Sequence, residues 1–168
     1  MGEMKKTLFI GIDPGVTGAV AIVDLESGMS SVVDMPLTDE NEVDALLLYK
    51  KIVALTLITS FENILCVLEK QQSMQKQGVR STFTTGKNYG KLLALLEISS
   101  VTVLKVHPSS WKKYMGLSKV KKQSVDMANL LFSDHNFYGP RGGLKDGRAE
   151  AILMCEYGRL KEEEKGRK

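Results

Sequence analysis

No run of apolar residues approaches the roughly 20 needed to span a bilayer, and no signal-peptide pattern opens the sequence. A membrane or secreted protein is therefore not expected. Only two cysteines occur, Cys66 and Cys155, each inside an apolar stretch. That excludes a disulfide framework and reads as buried free thiols in a reducing, cytoplasmic compartment. His107 and His135 lie too far from either cysteine to suggest a zinc cluster. No repeat and no linker divides the 168 residues, a length that suits one well-buried domain. That domain is expected over residues 1–160. The remainder, KEEEKGRK, has no apolar residue and is expected to fray.

The most informative scarcity is of acids in the middle of the chain. Residues 70–122 hold 11 Lys/Arg against Glu97 alone, a balance of +10 hidden in a net charge of +3. Residues 1–69 run the other way, with 4 Lys/Arg and 11 Asp/Glu. A segment so basic suggests a polyanion partner, since phosphate contacts dominate nucleic-acid affinity. The plainer alternative is a solvated lysine-rich surface.

What is present begins with LFIGIDPGVTGAVAIVD, residues 8–24. Leu8, Phe9, Ile10 and Ile12 predict a strand buried on both faces and ended by Asp13. Pro14 and Gly15 stop it, and Ala19–Val23 returns as the second arm of a hairpin bent at Thr17 and Gly18. Met29–Met35 predicts a third strand. Asn41 is placed to cap a helix running to about Phe61, and Ile64–Leu68 predicts a strand that delivers Glu69. Lys70–Asn88 is polar and basic with almost no apolar periodicity, and reads as a long functional or mobile connection. Tyr89–Ile98 predicts a helix with its leucines inside and Gly90 permitting a close approach. A fifth strand over Val101–Val106, a helix over Gln123–Phe132 and a last helix from Asp146 complete an α/β pattern.

Two strands thus end on carboxylates, Asp13 and Glu69, and the last helix carries Asp146 and Glu150 four residues apart on one face. Each has a bland reading: Asp13 caps a Pro-Gly turn, and the helical pair sits in a solvated first turn favoured by the helix dipole. Brought together, four carboxylates without a Cys/His set match Mg²⁺, with Mn²⁺ as a substitute. Two such ions about 3.5–4 Å apart can activate water for phosphodiester hydrolysis.

GIDPGVTGAVAIVD, VLEKQQ, WKKYMGLSKVKKQSV and DGRAEAI, in this order, resemble the RuvC-type Holliday-junction resolvases of the ribonuclease H-like superfamily, in particular the phage-encoded branch. The resemblance spans roughly residues 7–158. It implies a five-stranded mixed sheet flanked by helices, a homodimer, and paired metal-dependent nicks in branched DNA during recombination and repair in a bacterial cytoplasm. Carried over by position, Asp13, Glu69, Asp146 and Glu150 are the metal-binding and catalytic acids. The Asp146–Glu150 spacing of four departs from the three of the bacterial members. Lys112 and Lys122 fall where the family carries functional lysines, with Lys113, Lys119 and Lys121 as near competitors. Lys70, Gln72, Lys76, Arg80, Lys87, Lys113, Lys119 and Lys121 are the expected DNA-binding set. The bacterial members have an aromatic residue three positions after the strand glutamate, where this chain has Gln72.

Three alternatives compete with a junction nuclease. A ribonuclease H-like nuclease acting on RNA or RNA–DNA hybrids would use the same acids. A non-catalytic DNA-binding protein would keep the basic segment but has no reason to keep four acids. Actin-like ATPases and sugar kinases open with a similar strand–Asp–Gly turn but need two lobes, so no nucleotide cofactor is expected.

Overall fold

The computed structural model describes residues 6–55, 59–72 and 76–167. Its centre is β1 (Leu8–Asp13), whose Leu8, Phe9, Ile10 and Ile12 are wholly shielded from solvent. β1 pairs antiparallel with β2 (Ala19–Asp24), and β2 with β3 (Ser30–Asp34), giving the expected meander. On its other side β1 pairs in parallel with β4 (Ile64–Glu69), which pairs in parallel with β5 (Thr102–Val106). The five-stranded mixed sheet has the order β3-β2-β1-β4-β5.

Strand alternation sorts the sheet into two faces. Leu8, Ile10, Ile12, Ile64, Cys66 and Leu68 pack under α1 (Ala45–Leu55) and α2 (Val79–Ile98). Phe9, Leu65 and Val67 pack under α3 (Pro108–Tyr114), α4 (Lys121–Leu131) and α5 (Asp146–Lys165). Asp13 and Glu69 continue the second series, so both belong to the α5 face. Ile12 is level with Leu68 in the parallel ladder, which sets the two acids side by side just beyond it.

α5 lies unusually close to β1, and glycines make this possible. A Cβ on Gly11 would stand 1.9 Å from the Ala151 carbonyl oxygen, and one on Gly158 2.8 Å from Val67 Cγ2. A Cβ on Gly147 would meet the Thr17 carbonyl at 2.7 Å and Asp13 Oδ2 at 3.1 Å. Gly90, by contrast, has nothing within 4 Å of where its Cβ would be; the close approach expected there occurs on the opposite face of the sheet.

Three expectations about helices are corrected. α1 is capped by Asp44, whose Oδ1 accepts from the Leu47 amide at 2.9 Å, while Asn41 adopts φ 60° ahead of it. α2 begins at Val79, ten residues before Tyr89, so the second half of the basic connection is helical. α5 runs through the charged tail to Lys165, supported by Lys161–Glu164 and Lys165–Glu162 pairs three residues apart.

Candidate active site

The Pro14–Gly15 turn, the end of β4 and the first turns of α5 meet at the C-terminal edge of the parallel strands, where open α/β sheets present their ligand sites. Gly18 accepts no side chain, since a Cβ there would lie 2.0 Å from the Asp13 carbonyl oxygen. Gln71 ties the turn to β4, its Nε2 donating to the Pro14 carbonyl at 2.8 Å. Gly147 then lets α5 settle against Asp13, bringing Asp146 and Glu150 with it.

The electrostatics show that the four acids share one neighbourhood. Burial pushes the Asp13 carboxyl well above the usual carboxylate range, and the charges of Glu69, Glu150 and Asp146 add to that; Lys112 opposes it. Burial raises Glu69 as well, against a bond from Trp111. Trp111 is fully buried, and its Nε1–H donates to Glu69 Oε2 at 2.8 Å.

Lysines hold the acids of α5. Lys112 Nζ donates to Glu150 Oε1 at 2.6 Å, and Ser124 Oγ donates to the same oxygen at 3.3 Å. Lys121 Nζ lies 2.7 Å from Asp146 Oδ2. No donor meets the Asp13 carboxylate among the described residues. Nor, among them, do three His, Cys, Asp or Glu side chains converge tightly enough to hold a metal ion as they stand. The donors are nevertheless of the hard, anionic kind that Mg²⁺ and Mn²⁺ select. Asp13, repelled by three other acids, is a position where a cation would lower the free energy. The donor set fits divalent metal in chemistry, with Glu150 and Asp146 engaged by ammonium groups in this structure.

The other expected residues divide. Lys122 bonds Asp126 on its own exposed helix face, 2.7 Å away, and the ammonium that reaches Asp146 is that of Lys121. Lys87 pairs with Glu42, as does Lys91. Lys70 and Gln72 line a groove of 380 Å³ with Gln71, Gln77, Thr85 and His107. Arg80 lines an adjoining groove of 560 Å³ beside Gly15, with Ser81, Thr84 and Asn88. The two share Gln71 and Thr85 and form one polar channel past the end of β4. Lys76, Lys113 and Lys119 are exposed.

Sequence reasoning missed Trp111, Ser124, Gln71, Gly11 and Gly147 as parts of this arrangement. Only Gly147 carried a usable signal, because a glycine directly after an acid in the first turn of a helix has to justify its helix-weakening effect.

No family model matches the chain, and no curated protein matches it. Solved structures do. The chain resembles Thermus thermophilus RuvC in complex with a Holliday junction substrate, with TM-score 0.54 and 19% identity over 91% of this chain and 96% of that one. It resembles a further Thermus thermophilus RuvC structure with TM-score 0.51 and 19% identity, covering 92% and 96%. The fold is therefore RuvC-like.

Proposed function

We propose that this protein is a metal-dependent, structure-selective endonuclease that nicks four-way and other branched DNA junctions. The observation that carries the reading is the gathering of Asp13, Glu69, Asp146 and Glu150 at one end of a RuvC-like sheet, with Asp13 pushed toward protonation by burial and by the other three. That arrangement is costly for folding and is explained by a cation that binds there.

In this reading the four acids hold divalent metal, which when bound supplies an activated water and stabilises the leaving oxygen. Trp111 fixes the orientation of Glu69 through its Nε1–H. The Lys112 ammonium, which bonds Glu150 among the acids, meets a phosphate oxygen once DNA is bound. Lys70, Gln72 and Arg80 along the channel, with Lys76, Lys113 and Lys119 outside it, contact the DNA backbone, which positions the substrate without reading sequence.

A four-way junction offers two equivalent strands, and a two-fold dimer presents two matching sites. We place the dimer contact on α2, on a different face from the leucines. Leu92, Leu95 and Leu96 are buried in the core, whereas Val79, Phe83, Gly86, Gly90, Ala94 and Ile98 form an exposed apolar and small-residue stripe.

The test is to incubate the protein with Mg²⁺ and labelled four-way junction, fork, linear duplex, RNA–DNA hybrid or ATP. Paired nicks in branched DNA, abolished in Asp13→Asn and Glu69→Gln, are expected. Preferential consumption of the hybrid would move the assignment to a hybrid-specific nuclease, and binding without cleavage to a DNA-binding protein.

A further inference from the structure

The four acids do not converge, although they crowd one another, and the reason lies in what each carboxylate holds. Glu150 has its Oε1 on the ammonium of Lys112, with both side chains largely shielded at 16% and 9% exposure. Asp146 has its Oδ2 on Lys121. We infer that Lys112 and Lys121 are resident counter-ions of the acid cluster, and that a divalent metal enters only by expelling them, which frees both ammonium groups for the substrate's phosphates. This rests on the reading of these acids as metal ligands.

The argument is one of charge and lone pairs. A carboxylate oxygen at 2.6 Å from an ammonium cannot direct the same lone pair at a metal ion. A divalent ion beside a retained ammonium would also suffer like-charge repulsion at close range, weakly screened where water is excluded. Expulsion of Lys121 needs side-chain motion alone, and that of Lys112 breaks a shielded pair. Lys121 is exposed on the first turn of α4. Lys112 sits on α3, next to the buried Trp111 that anchors that helix. Because binding couplings are reciprocal, a phosphate that captures either lysine also favours metal entry. Metal and branched DNA would then each prepare the site for the other, and the DNA-free protein would keep Glu150 and Asp146 paired.

The experiment titrates the DNA-free protein with Mn²⁺ by calorimetry, comparing wild type with Lys112→Met, Lys121→Met and Lys112→Arg. Removing either ammonium should tighten Mn²⁺ binding by about tenfold, a coupling of ordinary size. Lys112→Arg, whose fork can bond Glu150 through two N–H groups, should weaken it. A second readout is amine labelling of Lys112 followed by mass spectrometry, which should rise on saturation with Mn²⁺. Metal affinity unchanged or reduced in both methionine variants, or labelling that Mn²⁺ does not alter, would overturn the inference. Lys112→Met leaves Glu150 buried and unpaired; if that variant does not fold, Lys121→Met and Lys112→Arg decide. Failure to cleave junctions while these affinities behave as expected would sink the nuclease reading and leave the exchange standing.

Discussion

Asp13 is where the chemistry and the stability of this protein oppose each other. Its carboxyl titrates above the usual range, chiefly because it is buried and secondarily because of Glu69, Glu150 and Asp146. In the unfolded chain an Asp titrates near about 3.9. Between that value and the raised folded one, the folded state binds the extra proton. Metal-free stability therefore falls as pH rises through this window, by the contribution of Asp13. Asp34 works in the opposite sense: hydrogen bonds from Arg148 and Lys145 hold it low, so its contribution is lost as pH falls. Comparing Asp13→Asn with wild type isolates the first effect. In the presence of a chelator at pH 7 the variant should be more stable by about 1–2 kcal/mol, within the usual range for one substitution. The difference should vanish near pH 3, and junction cleavage should be lost throughout. Thermal melts across pH measure it; a variant no more stable than wild type at pH 7 would show that Asp13 is not a strained charge. Glu69→Gln should also lose cleavage. The Trp111 N–H still finds an oxygen acceptor in the amide, so a folded but inactive protein is expected, checked by far-ultraviolet circular dichroism beside the nicking assay.

The element that sets the site is the α5–β1 pair, and it was only half legible. Short, nearly unbroken apolar runs at residues 8–12 and 64–68 placed β1 and β4, and their ends delivered Asp13 and Glu69. Helical spacing put Asp146 and Glu150 together. What such runs cannot encode is distance between layers. That depends on Gly11 meeting the Ala151 carbonyl and on Gly147 meeting the Thr17–Gly18 bend, contacts between segments far apart in sequence. The first half of α2 was missed for a related reason. Its Val79 and Phe83 face outward, so no stripe marks the helix, and its buried anchor is polar: Asn88 Oδ1 accepts from the Val43 amide at 3.1 Å. Two tests belong here. Gly147→Ala adds a methyl into backbone and the Asp13 carboxylate, so the first turn of α5 must lift. Overpacking of this kind costs about 1–3 kcal/mol. Because displacement of about 1 Å can cost on the order of 100-fold in rate, cleavage should fall far more than the melting temperature. Equal, small losses in both would mean that the seam does not position the acids. On α2, Phe83→Glu should shift the protein from dimer to monomer in sedimentation at micromolar concentration, while Leu46→Glu, exposed on α1, should not. A wild-type monomer, with or without junction DNA, would remove the dimer from the proposal.

At the scale of the whole molecule, charge and shape decide what DNA is held. The basic middle of the sequence is less available than its count suggests, since Lys87 and Lys91 are taken up by Glu42, and Lys112 and Lys121 by the acid cluster. Arg80, Lys113 and Lys119 remain outward. Affinity for junction DNA should fall steeply with salt, and neutralising these three together should lower the logarithmic slope by about 0.9 for each DNA phosphate that no longer meets a cation. An affinity indifferent to salt would point to a small-molecule site instead. Sequence preference follows from what lies beyond β4. Gln72 there is exposed and bonds His107, Nε2 to Nε2 at 2.9 Å, which directs its amide along the channel wall. An aromatic ring at such a place can stack on an unpaired base for about 1–3 kcal/mol, and an amide presents neither the area nor the π-face to replace it. Phe83, the exposed aromatic of α2, is committed in this proposal to the dimer stripe. Recognition is then left to backbone contacts and to the geometry of the branch, neither of which reads bases directly. Cleavage of forks and flaps alongside four-way junctions, with weak dependence on the sequence at the crossover, is the expected result. Mapping cuts along a mobile junction measures it. Nicks spread over many crossover positions at similar rates fit a site without a stacking wedge, whereas one short sequence cut far faster than every other would mean that some other side chain in the channel reads bases.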